Sequence, residues 1–291
     1  MKKELIVQRD PKSPISEVFR TLRTNIQFMN AKNSLKTILI TSTMPGEGKS
    51  WVSSNLAITF AQAGKKVALV DADMRKGRQY SIFGETPKPG LSNYLSGIDF
   101  EEDVADSNSI YNYIRETEID NLYLIVAGDI PPNPSELLSS SQMIDLLQKL
   151  KEEFDVVIID GTPIQLVTDA LILARLVDST VIVTASKQTK KEDLKKIINN
   201  IKNIGGDISG VIVNKIPISP KKYEQSYYYG SKNVKSNLTN VKKTPSSRKV
   251  KNEELPKALN RHIQIENGEK ISKEKTNEIF KQINEYMDSK K

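Results

Sequence analysis

The chain begins with apolar residues at helical spacing. Ser13 is a typical capping residue, Pro14 suits the first helical position, and apolar residues then recur three or four positions apart. These apolar positions are Ile15, Val18, Phe19, Leu22, Ile26 and Met29. The pattern predicts an amphipathic helix with one apolar face, and Glu17, Arg20 and Arg23 step along the flank of that face.

Six short apolar runs follow, and several of them lack the alternation that is typical of half-exposed strands. They cover residues 37–41, 67–70, 122–126, 156–159, 180–184 and 210–213. Continuous runs of this length indicate strands that are buried on both faces, as in a parallel sheet. Segments between them, such as 52–63 and 139–153, have the spacing of amphipathic helices, and Gly64 is a plausible C-terminal cap of the first. Alternation of strands and helices predicts an α/β fold with a mostly parallel sheet.

The core pattern ends near residue 217, and the remainder of the chain has a different composition. A tyrosine cluster occupies 223–230, and 231–252 carries seven Lys or Arg residues and no acid. We therefore predict a domain at 1–222, the tyrosine cluster at 223–230, and a basic, mostly disordered tail at 231–291 with a possible short helix at 271–287. Because the net charge of +7 is concentrated in the tail, nucleic-acid binding by the domain is not indicated.

Composition excludes several kinds of chemistry. The chain has no cysteine, so disulfides, thiolate metal sites and cysteine nucleophiles are excluded. Its single histidine, His262, lies in the polar tail, which excludes mechanisms that need several imidazoles. No apolar run approaches the roughly 20 residues that span a bilayer, and the apolar stretch near the start is short for a signal peptide. We expect a cytoplasmic protein that only a partner could hold at a membrane.

The first predicted strand leads into a glycine-rich loop and then a helix, the setting of a P-loop. Backbone N–H groups of such a loop surround phosphate oxygens, and the helix N-terminus adds partial positive charge. Lys49 would reach the β- and γ-phosphates of ATP, and the Ser50 hydroxyl would bind Mg²⁺. Thr43 departs from the strict pattern, which has glycine there. The predicted nucleotide-binding residues are Thr43, Met44, Pro45, Gly46, Glu47, Gly48, Lys49, Ser50 and Trp51.

Carboxylates follow two of the predicted strands. Asp71 and Asp73 follow the second, and Asp160 follows the run at 156–159. Acids at the carboxyl ends of buried strands point to the crevice where α/β sheets bind ligands. Ser50, Asp73 and Asp160 could hold a hydrated Mg²⁺ directly or through water, which leaves Asp71 to orient or deprotonate an attacking hydroxyl. The roles of Asp71 and Asp73 are interchangeable at this level.

Together these residues resemble the bacterial tyrosine kinases of capsule and exopolysaccharide synthesis, over roughly residues 13–230. Further marks of the resemblance are Glu17-x-x-Arg20-x-x-Arg23, Asp71-x-Asp73-x-Arg75, the segments 90–97 and 128–138, Asp160 with Pro163, and the tyrosine cluster. The resemblance implies a P-loop NTPase three-layer sandwich in which Lys49, Asp71, Asp73 and Asp160 serve catalysis with ATP and Mg²⁺. It also implies phosphoacceptors, which are Tyr223, Tyr227, Tyr228 and Tyr229.

The resemblance implies partners as well. Glu17, Arg20 and Arg23 would lie at a subunit contact of a homo-oligomeric ring, in which one tail enters a neighbour's site and is phosphorylated in trans. A separate membrane activator would recruit the chain to the inner face of the plasma membrane, and a cognate tyrosine phosphatase would act on it. The extension after Gly230 departs from the family pattern, and its basic run could be a solvated linker or touch anionic lipid or phosphotyrosine.

Other interpretations of the same residues stay open. The flank of the first predicted helix, with Glu17, Arg20 and Arg23, could be a solvated face with ion pairs. The tyrosine cluster at 223–230 could simply pack at a surface. A partitioning or cell-division positioning ATPase shares the fold, but it typically has an additional lysine early in the P-loop, where this chain has Thr43, Met44 and Pro45. An ATP-binding assembly protein without kinase activity, or a P-loop ligase or synthetase, are further alternatives.

Overall fold

The computed structural model describes residues 4–29, 35–97 and 109–217, and the structural account is confined to them. A seven-stranded sheet forms the middle layer, in the order β3-β4-β2-β5-β1-β6-β7. Its strands are β1 (Thr37–Ser42), β2 (Val67–Asp71), β3 (Arg115–Glu116), β4 (Leu122–Ile125), β5 (Val156–Pro163), β6 (Ser179–Ala185) and β7 (Ile208–Asn214). All neighbouring strands are parallel except β3 and β4, which are antiparallel. The predicted fold class is therefore confirmed.

Nine α-helices flank the sheet within the described residues. They are α1 (Ile6–Arg9), α2 (Pro14–Met29), α3 (Lys49–Ala61), α4 (Gln79–Phe83), α5 (Leu91–Ser96), α6 (Pro134–Leu138), α7 (Ser141–Glu153), α8 (Asp169–Leu176) and α9 (Lys191–Asn203). Helices α1 to α4 contribute to one apolar cluster and α5 to α9 to another. The two clusters also contain alternate residues of the central strands, so the sheet separates two cores.

All six predicted strands are present, with boundaries that shift by a few residues. Strand β5 runs to Pro163, so Asp160 lies inside the strand and not after it. Strand β3 was not predicted, because its two residues are too short to give a pattern. The register pairs Asp71 with Asp160, which brings the two carboxylates to the same edge of the sheet.

Helix α2 begins where the sequence predicts, because the Ser13 hydroxyl accepts a hydrogen bond from the Ser16 N–H at 3.1 Å. Its apolar face is narrower than predicted. Phe19 and Ile26 are buried, but Val18 and Met29 are 66% and 47% exposed. Each residue of an α-helix turns the side-chain direction by about 100°, which places Val18 and Met29 at the margin of the stripe that Phe19 and Ile26 define.

Helix α3 also differs from its sequence prediction. It starts at Lys49, earlier than the predicted 52, and it is buried around its whole circumference instead of on one face. The reason is that α1 and α2 pack on the side of α3 that faces away from the sheet. Gly64, the predicted cap, has a left-handed φ of +77° shortly after α3 ends, as expected.

Candidate active site

The loop between β1 and α3 has the backbone that a phosphate site requires. Gly46 and Gly48 have φ values of +78° and +98°, which side chains other than glycine rarely adopt. A Cβ atom at Gly48 would also approach the Asn214 amide nitrogen to 2.2 Å. The glycines therefore let the loop curl, and α3 presents its N-terminus at the end of the loop, where an anion is favoured.

Glu47 fixes this loop from inside. Its side chain accepts hydrogen bonds from the Thr43 hydroxyl, from the Met44 N–H at 2.9 Å and from the Thr189 hydroxyl. Its backbone carbonyl accepts a hydrogen bond from the Asn214 amide at 2.8 Å. Thr43, where the strict pattern has glycine, thus helps to hold a buried carboxylate. Thr189, in the segment after β6, and Asn214, at the end of β7, tie the loop to this part of the sheet.

Lys49 is surrounded by acids. Its ammonium lies 2.8 Å from an Asp73 carboxylate oxygen and 3.7 Å from one of Asp160. Burial alone would lower the pKa of Lys49, but the negative charges of Asp160 and Asp73 outweigh it, and the pKa is raised above its usual value. Lys49 is therefore a permanent cation at the mouth of the loop.

Asp71 is fully buried at the end of β2. It accepts hydrogen bonds from the Gln79 N–H at 2.9 Å and from the Asp73 N–H at 3.3 Å. Burial, together with the nearby charge of Asp160, raises the pKa of Asp71 to about 8, although the Gln79 N–H acts in the opposite direction. At neutral pH this carboxyl group is therefore able to hold or accept a proton.

Gln79, the first residue of α4, joins three parts of the site. Its side-chain NH₂ donates to an Asp160 carboxylate oxygen at 2.8 Å and to the Ser50 carbonyl at 3.1 Å. Its side-chain oxygen accepts a hydrogen bond from the Ser54 hydroxyl at 2.8 Å. Sequence reasoning missed Gln79, because no motif or spacing marks it.

A second polar cluster lies beside the site. The Arg75 guanidinium holds the Asp169 carboxylate with two hydrogen bonds of 2.8 and 3.1 Å, and the Ser135 hydroxyl donates to the same carboxylate at 2.6 Å. Burial would raise the pKa of Asp169, but the hydrogen bonds from Arg75 and Ser135 keep it below its usual value. Sequence reasoning assigned no role to Asp169, although an acid in the first turn of a helix is a recognisable signal.

A cavity of about 310 Å³ opens in front of these residues. Its lining combines P-loop residues with charged and apolar side chains, including Pro45, Lys49, Trp51, Asp73, Arg75 and Leu166. The volume is in the range of pockets that take small ligands. Asp73 lines the cavity, whereas Asp71 lies behind it.

The predicted magnesium ligands fit a hydrated divalent cation. Ser50, Asp73 and Asp160 supply the hard oxygen atoms that Mg²⁺ prefers, next to the loop that would bind phosphates. In residues 4–29, 35–97 and 109–217, no three or more His, Asp or Glu side chains are placed to hold a metal ion by themselves. The ion would therefore take its other ligands from water and from the nucleotide, which is the usual arrangement for Mg²⁺.

The predicted subunit-contact residues do not form one group. Glu17 and Arg20 make an ion pair of 2.7 Å on the surface of α2. Arg23 instead donates to the Thr59 carbonyl of α3 at 2.9 Å. The predicted phosphoacceptors Tyr223, Tyr227, Tyr228 and Tyr229, the tail at 231–291, the possible helix at 271–287 and His262 lie outside the described residues.

The fold and this site define a P-loop nucleotide-binding protein, and comparison with known proteins gives the family. The AAA domain family matches residues 35–212. A putative tyrosine-protein kinase, CapB of Staphylococcus aureus, is 41% identical over 226 residues, which is 78% of this chain and 95% of that protein. The tyrosine-protein kinase YwqD of Bacillus subtilis is 38% identical over 232 residues, which is 80% of this chain and 93% of that one.

A solved structure, the chimerical protein CapA2B2, superposes with a TM-score of 0.69 at 38% identity and covers 75% of this chain and 92% of that one. The chain therefore belongs to the bacterial tyrosine-protein kinases, enzymes that phosphorylate tyrosine. This membership favours the kinase interpretation over the positioning ATPase. None of the helices in the described part of the chain is long and apolar enough to cross a membrane.

Proposed function

We propose that this chain uses ATP and Mg²⁺ to phosphorylate its own tyrosine cluster, Tyr223, Tyr227, Tyr228 and Tyr229, in trans, and so regulates capsule or exopolysaccharide synthesis and export. The observation that carries the proposal is the convergence of Lys49, Asp71, Asp73 and Asp160 at the mouth of the P-loop. Phosphoryl transfer to a phenol depends mainly on positioning and charge stabilisation, which this group of residues can supply.

Each residue has a role in this proposal. Lys49 leaves Asp73 and binds the β- and γ-phosphates, while Ser50, Asp73 and Asp160 hold Mg²⁺ directly or through water. When bound, Mg²⁺ neutralises negative charge that develops on the phosphate oxygens. Asp71, in its ionised form, takes the proton of the attacking phenol. Asp73 is the alternative base, because it lines the cavity and Asp71 does not.

The ring proposal rests on α2. Glu17 and Arg20 lie on its surface, and its exposed apolar side chains include Val18, Phe28 and Met29, of which Phe28 is 75% exposed. Burying such side chains against a neighbouring subunit would stabilise an oligomer. Arg23 contributes indirectly in this arrangement, by fixing α2 on α3. Size-exclusion chromatography with light scattering of Val18→Asp tests this contact, because a ring that persists in the variant would exclude it.

The partners follow from the family. We propose that a separate membrane activator recruits the chain from the cytoplasm to the inner face of the plasma membrane, and that a tyrosine phosphatase reverses the modification. Phosphorylation adds up to about two negative charges to each tyrosine, which would weaken docking of the tail in an acidic site and release the ring. A fully phosphorylated sample that stays as oligomeric as the unmodified one would exclude this release.

The central experiment is incubation of the full chain with ATP and Mg²⁺, with and without the cytoplasmic tail of a membrane activator, followed by mass spectrometry. Lys49→Met and a variant with all four cluster tyrosines changed to Phe are the controls. Phosphate on residues 223–229 that disappears in Lys49→Met supports the proposal. ATP hydrolysis without phosphotyrosine, even with the activator tail present, would support the positioning ATPase or the assembly protein instead.

A further inference from the structure

Gln79 is fully buried and has every side-chain hydrogen-bonding group in use. Its NH₂ group makes two hydrogen bonds, to Asp160 and to the Ser50 carbonyl, and its oxygen accepts one from Ser54. An amide with donors on one side and an acceptor on the other fits this environment in one orientation only. The rotamer of Gln79 is therefore fixed by its neighbours.

The contacts of Gln79 connect the structural elements that carry the proposed magnesium ligands. Asp160 belongs to β5, Ser50 lies in the first turn of α3, and the Gln79 backbone N–H holds Asp71 at the end of β2. Gln79 is itself buried and does not line the cavity, so it does not touch a nucleotide there directly. Its amide also adds no charge beside the carboxylates, which an acidic residue of the same shape would do.

We propose that Gln79 is a positioning residue for phosphoryl transfer, which locks Asp160 and the start of α3 in the arrangement that Mg²⁺–ATP requires. Without its amide, Asp160 loses a charged hydrogen bond and can rotate towards Lys49, which lies 3.7 Å away. The Ser50 hydroxyl and the Asp160 carboxylate would then no longer be fixed relative to each other. The inference rests on the proposed roles of Ser50 and Asp160 in binding Mg²⁺.

The test compares Gln79→Leu, which keeps the approximate size but removes all three side-chain hydrogen bonds, with Gln79→Asn, which keeps the amide on a shorter side chain. Gln148→Leu, on the exposed face of α7, is the matched control. Trp51 is the single tryptophan of the chain and lines the cavity, so its fluorescence can report the binding of ATP and ADP. ATP and ADP are titrated in the presence of MgCl₂ and, separately, of EDTA. The steady-state rate of tyrosine phosphorylation is measured for the same variants.

For Gln79→Leu we expect kcat to fall roughly 10- to 100-fold, as for other residues that orient metal ligands. The gain in ATP affinity that MgCl₂ gives the wild-type protein should be lost, while the affinity in EDTA stays within about threefold of wild type. Gln79→Asn should recover part of the magnesium-dependent gain, and Gln148→Leu should match the wild type. A merely structural role would instead lower the melting temperature and weaken ATP binding equally in MgCl₂ and EDTA.

Two outcomes would overturn the inference: a kcat of Gln79→Leu within about twofold of wild type, or an equal loss of affinity with and without Mg²⁺. If Gln79→Leu does not fold, Ser54→Ala gives the decision, because it removes the contacts of the Ser54 hydroxyl with the Gln79 oxygen and the Ser50 carbonyl but leaves the Gln79 amide in place, and it should weaken magnesium-dependent binding in the same direction. Because the fluorescence titration needs no phosphotyrosine, it separates this inference from the proposed autophosphorylation. A wild-type protein that binds Mg²⁺–ATP without modifying tyrosine would contradict only the latter.

Discussion

The two ends of the parallel sheet both carry carboxylates, but in opposite electrostatic settings. At the end where strands β1 and β6 begin, Asp178 accepts hydrogen bonds from the N–H groups of Lys36 and Thr37, both at 2.8 Å, and from the Lys151 ammonium at 2.6 Å. Burial opposes ionisation there, but these donors outweigh it and hold the pKa of Asp178 below its usual value.

At the other end, three carboxylates lie near one lysine, which pairs with two of them. Asp71, Asp73 and Asp160 converge around Lys49, and the pKa of Asp71 is raised to about 8 by burial and by the charge of Asp160. The difference between the two ends shows that the supply of donors, and not the residue type, decides what an aspartate does. Satisfied carboxylates stabilise the fold, whereas crowded ones hold protons and attract cations.

The largest effect is expected for Lys49→Met, which removes the cation from the crowded end. Phosphate transfer to tyrosine should fall at least roughly 100- to 1,000-fold, because the charge that stabilises the transferred phosphate is lost. The measurement is the initial rate of phosphotyrosine formation. Lys66→Met, at the opposite end, removes a lysine that pairs with Glu153 and should leave the rate unchanged. If Lys49→Met and Lys66→Met lost the same fraction of the phosphorylation rate, the two ends of the sheet would not differ in function.

Asp71→Asn should separate activity from stability. If Asp71 is the base, transfer should fall roughly 100-fold or more. Because the folded pKa is raised, Asp71 destabilises the protein increasingly as pH rises from its unfolded value of about 4 towards 8. Urea unfolding should therefore show the variant to be at least as stable as the wild type at pH 8, and relatively less stable at pH 5. If Asp73→Asn alone abolishes transfer while Asp71→Asn retains it, the base is Asp73.

Asp178→Asn, at the other end of the sheet, should lower stability and leave activity unchanged. Loss of the charged hydrogen bonds should lower the free energy of unfolding by about 2 kcal/mol at pH 7, with no change in kinase activity. Since the folded pKa of Asp178 is depressed, its stabilisation is complete above the unfolded pKa of about 4 and disappears as pH falls below that range. Asp145→Asn, on the exposed side of α7, is the control and should change stability little. A large loss of kinase activity in Asp178→Asn without loss of stability would contradict the purely stabilising role of Asp178.

The smallest effect concerns Asp169, which lies at the catalytic end but has the lowered pKa of a satisfied carboxylate. Ser135→Ala removes one of its three hydrogen bonds and should reduce the free energy of unfolding by about 1 kcal/mol. Thermal unfolding at pH 7 measures this difference, with Ser139→Ala as the exposed control. No change in Ser135→Ala would mean that Arg75 alone satisfies Asp169.

The sequence was sufficient for the fold class, the six longer strands, the P-loop and the acids at the strand ends. These features are local: continuous apolar runs predict buried strands, and Gly46, Gly48 and Lys49 form a motif of adjacent residues. Parallel pairing then brings Asp71 opposite Asp160, as the position of each near the end of a strand suggests. The start of α2 could also be predicted, because its signal consists of the adjacent residues Ser13 and Pro14.

Tertiary structure decided which other residues complete the site and which face of a helix is exposed. Gln79 and Asp160 are 81 positions apart, and Glu47 and Thr189 are 142 apart, so no periodicity or motif connects the members of either pair. The exposure of Val18 likewise depends on how α2 packs on α3. Hydrogen bonds between buried polar groups form only after distant segments have folded together, and for that reason the raised pKa of Asp71 belongs to the fold and not to the sequence around it.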